Sequence, residues 1–292
     1  MANLKEVRIR IASVQSTQKI TSAMKMVSAS KLRRAQNAIV KLRPYSSKLN
    51  EILESISESN DDNTDNAFAE HRPIQHVTLV VISSNRGMCG SFNSNVIKMA
   101  LQLIHEKYAT QFKTGNLSLV TIGKRVTEYF VKRDYPVIDS NITITENPSY
   151  DDATIMSSKI METFRAKKTD YVEIVYNQFK NAATQVLINE QFLPIKQKEN
   201  EGKTTAVDYI YEPSKEIIIE QMVPKILRLQ FYKGILDSAA SEHGARMTAM
   251  HKATDNAGEM IKSLKLSYNK ARQAAITNEI SEIVSGANAL KG

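Results

Sequence analysis

From Pro224 to its end the chain runs without another proline, and its apolar positions keep a heptad beat. His243, Met247, Met250, Thr254, Ala257, Ile261, Leu264, Tyr268, Ala271 and Ala275 follow one another at alternating steps of four and three. Residues spaced about 3.5 apart stay on one edge of a supercoiled helix, so the alternation predicts a coiled-coil seam. At 1.5 Å per residue such a helix extends roughly 100 Å. A compact globule of this length has a radius of gyration of about 19 Å. The helix is therefore expected to leave its own domain as a shaft, into solvent or into other subunits.

A partner for that seam lies at the other end of the chain. Residues 3 to about 57 read as helix, with Leu4, Val7, Ile11 and Val14 in step, then Ile20, Met24 and Val27 after a slip in phase. A second slip precedes Leu32, Ala35, Ile39, Leu42, Leu49, Leu53 and Ile56. Such slips are stutters that unwind a supercoil locally, and Pro44 is a candidate kink. The acidic, turn-rich run SESNDDNTDNAFAEHRP then reads as a surface linker.

The middle alternates short apolar strands with helical stretches: strands at 77–84, 117–123, 137–144 and 171–177, and an edge-like alternation at 184–195. That rhythm predicts βαβ units around a mostly parallel sheet, with KQKENEGKTTAV as an exposed hairpin tip or loop. The expected fold class is α/β: an antiparallel coiled coil of long N- and C-terminal helices plus a central Rossmann-like domain. The expected domains are residues 1–57, an N-terminal coiled-coil helix; 75–212, the α/β domain; and 213–292, a C-terminal coiled-coil helix.

Charge narrows the partners. Residues 1–50 hold eleven Lys/Arg against one acid, Glu6, while the other 242 residues hold 28 basic and 30 acidic groups. The whole basic excess sits at one end and calls for an acidic partner: nucleic acid, anionic lipid or an acidic protein surface. No aromatic residue precedes Tyr45, so a stacking platform for nucleic acid is missing. A solvated charged face remains the plainest alternative. Cys89 is the sole cysteine, which excludes intramolecular disulfides and cysteine-rich zinc sites and favours a reducing compartment. No apolar run is long enough for a membrane span, and MANLKEVRIRIASV has no signal-peptide core.

Chemistry-bearing patterns are scarce. The turn S-S-N-R-G-M-C-G-S-F-N after the first strand has glycines at 87 and 90, and matches neither dinucleotide nor phosphate-loop spacing. Ile122-Gly123-Lys124-Arg125 lacks an upstream glycine. Without such a cradle the backbone cannot wrap a pyrophosphate. Cys89 has no histidine base nearby in sequence and reads as an unreactive loop residue; His243 and His251 read as helix residues rather than metal ligands. Asp61/Asp62 and Asp151/Asp152 read as solvated caps. No catalytic constellation emerges. A nucleic-acid-binding coiled coil and a nucleotide-dependent α/β enzyme are the competing classes at this point.

Three blocks carry a resemblance: IASVQSTQKITSAMKMVSASKLRRAQ (11–36), SNRGMCGSFN (84–93) and SEHGARMTAMHKATDNAGEMIKSLKLSYNKARQAAITNEISEIVSGANAL (241–290). In order, spacing and length they resemble the gamma subunit of F-type rotary ATP synthases, over essentially the whole chain. Asn85 stands where that family commonly has Asp, and Met88 where it has Leu; neither change touches the glycines. The resemblance implies a non-catalytic rotor, the central stalk, without cofactor or metal of its own. Its implied partners are three alpha and three beta subunits, the epsilon subunit and a membrane c-ring, with no nucleic acid. It further implies a peripheral location on the cytoplasmic face of a bacterial inner membrane, where proton flow turns the α/β foot.

Carried over by position, the resemblance implies that Met24 lies near an acidic loop of a beta subunit, with Lys25 among the basic neighbours that suit it. Arg86 and Cys89 would lie near the same collar. Arg246, Arg272, Gln273, Thr277 and Glu279 match positions that contact catch loops of the beta subunits. Tyr209, Tyr211 and Glu212 match the foot segment that touches the c-ring.

Overall fold

In a computed structural model, residues 4–58, 67–70, 72–195 and 215–289 are described, with side chains omitted for 50–58, 215–219 and 289. Helix α1 spans Leu4–Glu58 and continues through Pro44. There follow β1 (Val77–Ile82), α2 (Phe92–Gln102), a π turn (Leu103–Lys107), α3 (Ala109–Lys113), β2 (Leu117–Ile122), α4 (Lys124–Val131) and β3 (Val137–Asn141). A 3-10 turn (Thr143–Thr145), α5 (Tyr150–Arg165), β4 (Tyr171–Phe179), β5 (Gln185–Leu193) and α6 (Lys215–Ala289) complete the order. Helix α6 is 75 residues long and carries Pro224 inside it. The expected loop at KQKENEGKTTAV lies outside the described residues. The chain divides into two compact units, Met1–Ser28 with Met247–Gly292, and Ala29–Arg246.

In the first unit the two helices pair antiparallel. Thr21 Oγ1 lies 2.8 Å from Thr254 Oγ1, and Lys25 Nζ lies 3.4 Å from His251 Nδ1. Gln18 Nε2 would stand 3.2 Å from a methyl group placed on Gly258. Each step forward along α1 is thus a step back along α6. On α6 the heptad set read from the sequence is shielded from Met247 through Met250, Thr254, Ala257, Ile261, Leu264, Tyr268 and Ala271 to Ala275, with Thr248, Ala249, Ala253, Gly258 and Ala274 half-buried beside it. From Ile276 to Asn288 every residue is exposed. By the same register Leu4 falls near Arg272, so the described part of α1 ends where the shielding of α6 ends.

Helix α1 corrects the expected stutters. A shielded stripe runs Val7, Ile11, Val14, Gln18, Thr21, Lys25, Ser28, Leu32, Ala35, Ile39, Leu42, Ser46 and Leu49, an unbroken alternation of four and three, with Ser22, Met24, Ala29, Gln36 and Ala38 half-buried beside it. Ile20 and Val27, read as seam residues, are 57% and 58% exposed. Thr21 and Ser28 take the seam instead, with Ser28 only 3% exposed. Their hydroxyls tolerate burial because each finds a helical carbonyl: Thr21 Oγ1 donates to Gln18 O and Ser28 Oγ to Met24 O.

In the second unit the sheet order is β3-β2-β1-β4-β5, parallel except for β5, which runs antiparallel at the edge. Both faces of β1 are covered, so all six of its residues are buried. Alternate residues serve opposite cores. Val80, Ile82, Val120 and Ile122 meet α5 and α6 through Met156, Ile160, Phe164, Leu227 and Phe231. Leu79, Val81, Leu117 and Leu119 meet α2 and α4 through Val96, Ala100, Val126 and Phe130. Strand β3 stops at Asn141 because that side chain turns the backbone, accepting from Ile144 N at 3.1 Å. Ser149 caps α5 by accepting from Asp152 N. Within the expected linker, Phe68 is buried in the α5–α6 core, and its carbonyl accepts from Ile195 N at 2.9 Å.

Between Gly234 and Glu242 α6 is buried on every side. Enclosure takes ionisable groups in with it. Burial pushes the Asp237 carboxyl up to about 6, with Lys233 and Arg43 pulling the other way. Burial lowers His243 to about 4, and the cations of Arg246 and Lys31 lower it further. The two act oppositely on stability. The contribution of Asp237 is full below pH 3.8 and is lost as pH rises through 6, because the unfolded carboxyl ionises first. That of His243 is full above pH 6.5 and is lost as pH falls through 4.

Asp237→Asn should therefore stabilise the chain by about 2 kcal/mol at pH 7 and make its stability fall more steeply on acidification. Urea unfolding at pH 7 and pH 4 measures both; a variant with the wild-type pH slope would refute the assignment. In the seam, Ser28→Leu should destabilise by about 1–3 kcal/mol through overpacking, whereas Ile20→Ala should stay within about 0.5 kcal/mol. Thermal unfolding of the full chain compares them, and the reverse ranking would restore the stuttered seam.

Candidate functional site

In an open α/β sheet, ligands bind beyond the carboxyl ends of the strands, where the direction of winding reverses. With the order β3-β2-β1-β4-β5 that point lies between β1 and β4. Here α6 occupies it. Ser241 Oγ donates to Asn177 O at the end of β4 (3.0 Å), and Arg246 Nη2 donates to Arg86 O in the loop after β1 (3.1 Å). A helix stands where a phosphate would need room.

The loop from Ser83 to Ser91 is tightly held. Ser84 N donates to Asn93 Oδ1 (3.0 Å), and Asn93 Nδ2 lies 3.3 Å from Cys89 Sγ. Asn85 bridges two elements: its Oδ1 accepts from Lys124 N at 2.9 Å, and its Nδ2 donates to Ile142 O at 2.8 Å. An aspartate would keep the first bond and lose the second, so the amide at this position ties the loop to the end of β3. Gly123, at φ 99°, is irreplaceable here, since a Cβ would stand 2.4 Å from Ser83 O. Met88 takes φ 61° with its side chain in solvent, a demand that leucine would meet equally.

The residues singled out in the sequence fall into three groups. Arg86, Cys89 and Arg246 come together around this loop. Arg86 is exposed, but Cys89 is 1% exposed and burial raises its thiol above the usual range. Arg246 is 8% exposed and spends its guanidinium inside the chain, with Nη1 2.7 Å from Glu242 Oε1. In the first unit Met24 and Lys25 are half-buried, and Lys25 faces the His251–Asp255 pair, whose atoms are 3.3 Å apart. Arg272, Gln273, Thr277 and Glu279 are exposed on α6, with Thr277 Oγ1 turned back on Gln273 O at 2.9 Å. Tyr209, Tyr211 and Glu212 lie outside the described residues.

Glu242, Ser84 and Asn93 were not singled out in the sequence. Only Glu242 left a signal, its spacing of four from Arg246. Among the described residues no group of three or more His, Cys, Asp or Glu converges, and no helix is long and apolar enough to cross a membrane.

A family model described as ATP synthase matches residues 3–290. The ATP synthase gamma chain of Cytophaga hutchinsonii is 52% identical, over 99% of this chain and 99% of its own length. That of Christiangramia forsetii is 50% identical over the full length of both, and that of Chlorobaculum tepidum 44% over the full length of both. Among solved structures, a chain of the Euglena gracilis mitochondrial ATP synthase (OSCP/F1/c-ring, rotational state 3) shares the fold at a TM-score of 0.69 and 18% identity, over 98% of this chain and 94% of that one. A chain from the central stalk and c-ring of the Tetrahymena thermophila mitochondrial ATP synthase does so at 0.57 and 22%, over 80% and 99%. Matched end to end by the family model and sharing half of its residues with such relatives, the chain belongs to the family of ATP synthase gamma chains.

Proposed function

We propose that this chain is the rotating central-stalk subunit of a proton-translocating F-type ATP synthase, coupling c-ring rotation to conformational change at the catalytic beta subunits. It is a non-catalytic subunit of that complex. The observation that carries the reading is the seam of the first unit. Two helices pair in strict heptad register, and one of them runs on, bare, beyond the stretch that the described part of the other covers. A stripe of Ile276, Ile280, Ile283 and Val284, all exposed, has no use in an isolated chain and suits a surrounding sleeve of subunits.

The physics of coupling needs no chemistry on this chain. Each orientation of an asymmetric shaft makes better contacts with one set of catalytic-subunit conformations than with others, and that difference shifts their nucleotide affinities. In this account three alpha and three beta subunits surround the helical pair. The exposed Arg86, Arg272, Gln273, Thr277 and Glu279, with half-buried Met24 and Lys25, meet the beta subunits. Cys89 and Arg246 serve the same collar from inside. The foot, within residues 75–212, meets the epsilon subunit and the c-ring, the latter through Tyr209, Tyr211 and Glu212. The complex then holds the chain peripherally at the cytoplasmic face of a bacterial inner membrane.

Mixing the chain with alpha and beta subunits should yield a stoichiometric ATPase, and Arg272→Glu with Gln273→Ala should weaken assembly about tenfold, or 1.4 kcal/mol, or uncouple it. Both side chains are exposed, so the unfolding midpoint of the free chain should not move. Full assembly with wild-type proton pumping per ATP in the double variant would contradict the contact assignment. The basic excess of residues 1–50 predicts weaker assembly at high ionic strength.

A further inference from the structure

Arg246 is the last residue of the α/β unit on α6, and its guanidinium is aimed at backbone. Nη2 donates to Arg86 O at 3.1 Å, and Nε lies 3.4 Å from Gly87 O. On the other side Nη1 meets Glu242 Oε1 at 2.7 Å and stands 3.4 Å from His243 Nδ1. Glu242 is itself buried at 7% exposure. A buried ion pair is seldom a net source of stability, since an apolar pair of similar volume does as well. What it supplies is direction. Most of the grip on α6 in this unit is apolar and non-directional, and it resists turning of the helix about its axis only weakly. Ser241 Oγ on Asn177 O and Gln230 Nε2 on Glu190 Oε1 are further directional ties. A planar fork oriented by a carboxylate of its own helix and directed at two successive loop carbonyls fits one rotational phase alone.

We propose that Arg246 is a positioning residue: with Glu242 it locks the rotational phase of α6 to the Ser83–Ser91 loop, and torque passes between helix and α/β unit at this lock. The torque role rests on the rotor reading above; the lock is a property of the free chain. Turning α6 by one residue would carry the Glu242–Arg246 pair, both of whose members lie on α6, away from the Arg86 and Gly87 carbonyls. The loop it grips is the one whose Asn85 ties the ends of β3 and α4, so a fixed loop means a fixed sheet end.

Cys89, the sole thiol, reports the loop. Alkylation of the full-length chain by iodoacetamide is compared in wild type, Arg246→Lys and the double variant Arg246→Met with Glu242→Leu. Lysine keeps the charge and loses the fork; the double variant keeps volume and removes the pair. The lock predicts alkylation at least about tenfold faster in both variants, with amide exchange of residues 85–90 rising in parallel, while the double variant melts near the wild-type midpoint. In reconstituted complexes, protons pumped per ATP hydrolysed should fall in both. Wild-type protection of Cys89 in the double variant would overturn the lock, whatever the complex does. Fast alkylation with wild-type coupling would overturn the torque role and leave the rotor reading standing. Slow alkylation with lost binding to alpha and beta subunits would make Arg246 a partner contact and overturn the proposal.

Discussion

A heptad stripe on a helix too long for its own domain can be buried only by another helix of comparable reach. Here the N-terminal helix supplies it, and the antiparallel pairing of α1 with α6 is the constraint from which the rest follows. Each apolar seam residue contributes roughly 1.5–3 kcal/mol when buried, and such layers hold the helices together without choosing a register. The polar layers choose it. Thr21 opposite Thr254 and Lys25 opposite His251 would be buried or repelled wrongly in any slipped pairing, which is how polar residues at core positions of coiled coils specify one alignment.

The same helix decides what the α/β unit does. A doubly wound sheet offers a ligand crevice at the reversal point, and in this chain α6 fills it with Ser241, Glu242 and Arg246. In the loop after β1, Gly90 takes a backbone turn at φ 61° and the Gly87 carbonyl faces Arg246. A fold associated with nucleotide binding is thereby converted into a socket that grips a helix. The sheet keeps both apolar faces covered, by α2 and α4 on one side and by α5 and α6 on the other, so gripping the helix costs it no core. Family membership makes the chain a stalk subunit of a larger complex.

Much of this was legible in the sequence, unevenly and for physical reasons. The C-terminal seam could be read position by position because nearly all its members are apolar. The N-terminal seam could not. Thr21 and Ser28 occupy core positions, while Ile20 and Val27 face outward, so hydrophobicity pointed to slips in phase that do not exist. Helical Ser and Thr hide in such seams because their hydroxyls bond back to the helix's own carbonyls. The strands were found by their apolar runs, and β5 by its alternation. Phe68 was missed because a single aromatic in an acidic run carries no period. The loop partners of Arg246 were missed for a different reason: they are the Arg86 and Gly87 carbonyls, and no side-chain pattern announces those.

The central claim is that the chain turns inside its complex. Lys132 is exposed on the turn that follows α4, and Lys132→Cys offers a thiol for a visible probe far more accessible than buried Cys89. With the alpha–beta ring fixed to a surface and ATP supplied, the probe should rotate continuously in one direction and stop when ATP is removed. A probe that stays still while the fixed complex hydrolyses ATP at full rate would contradict the account.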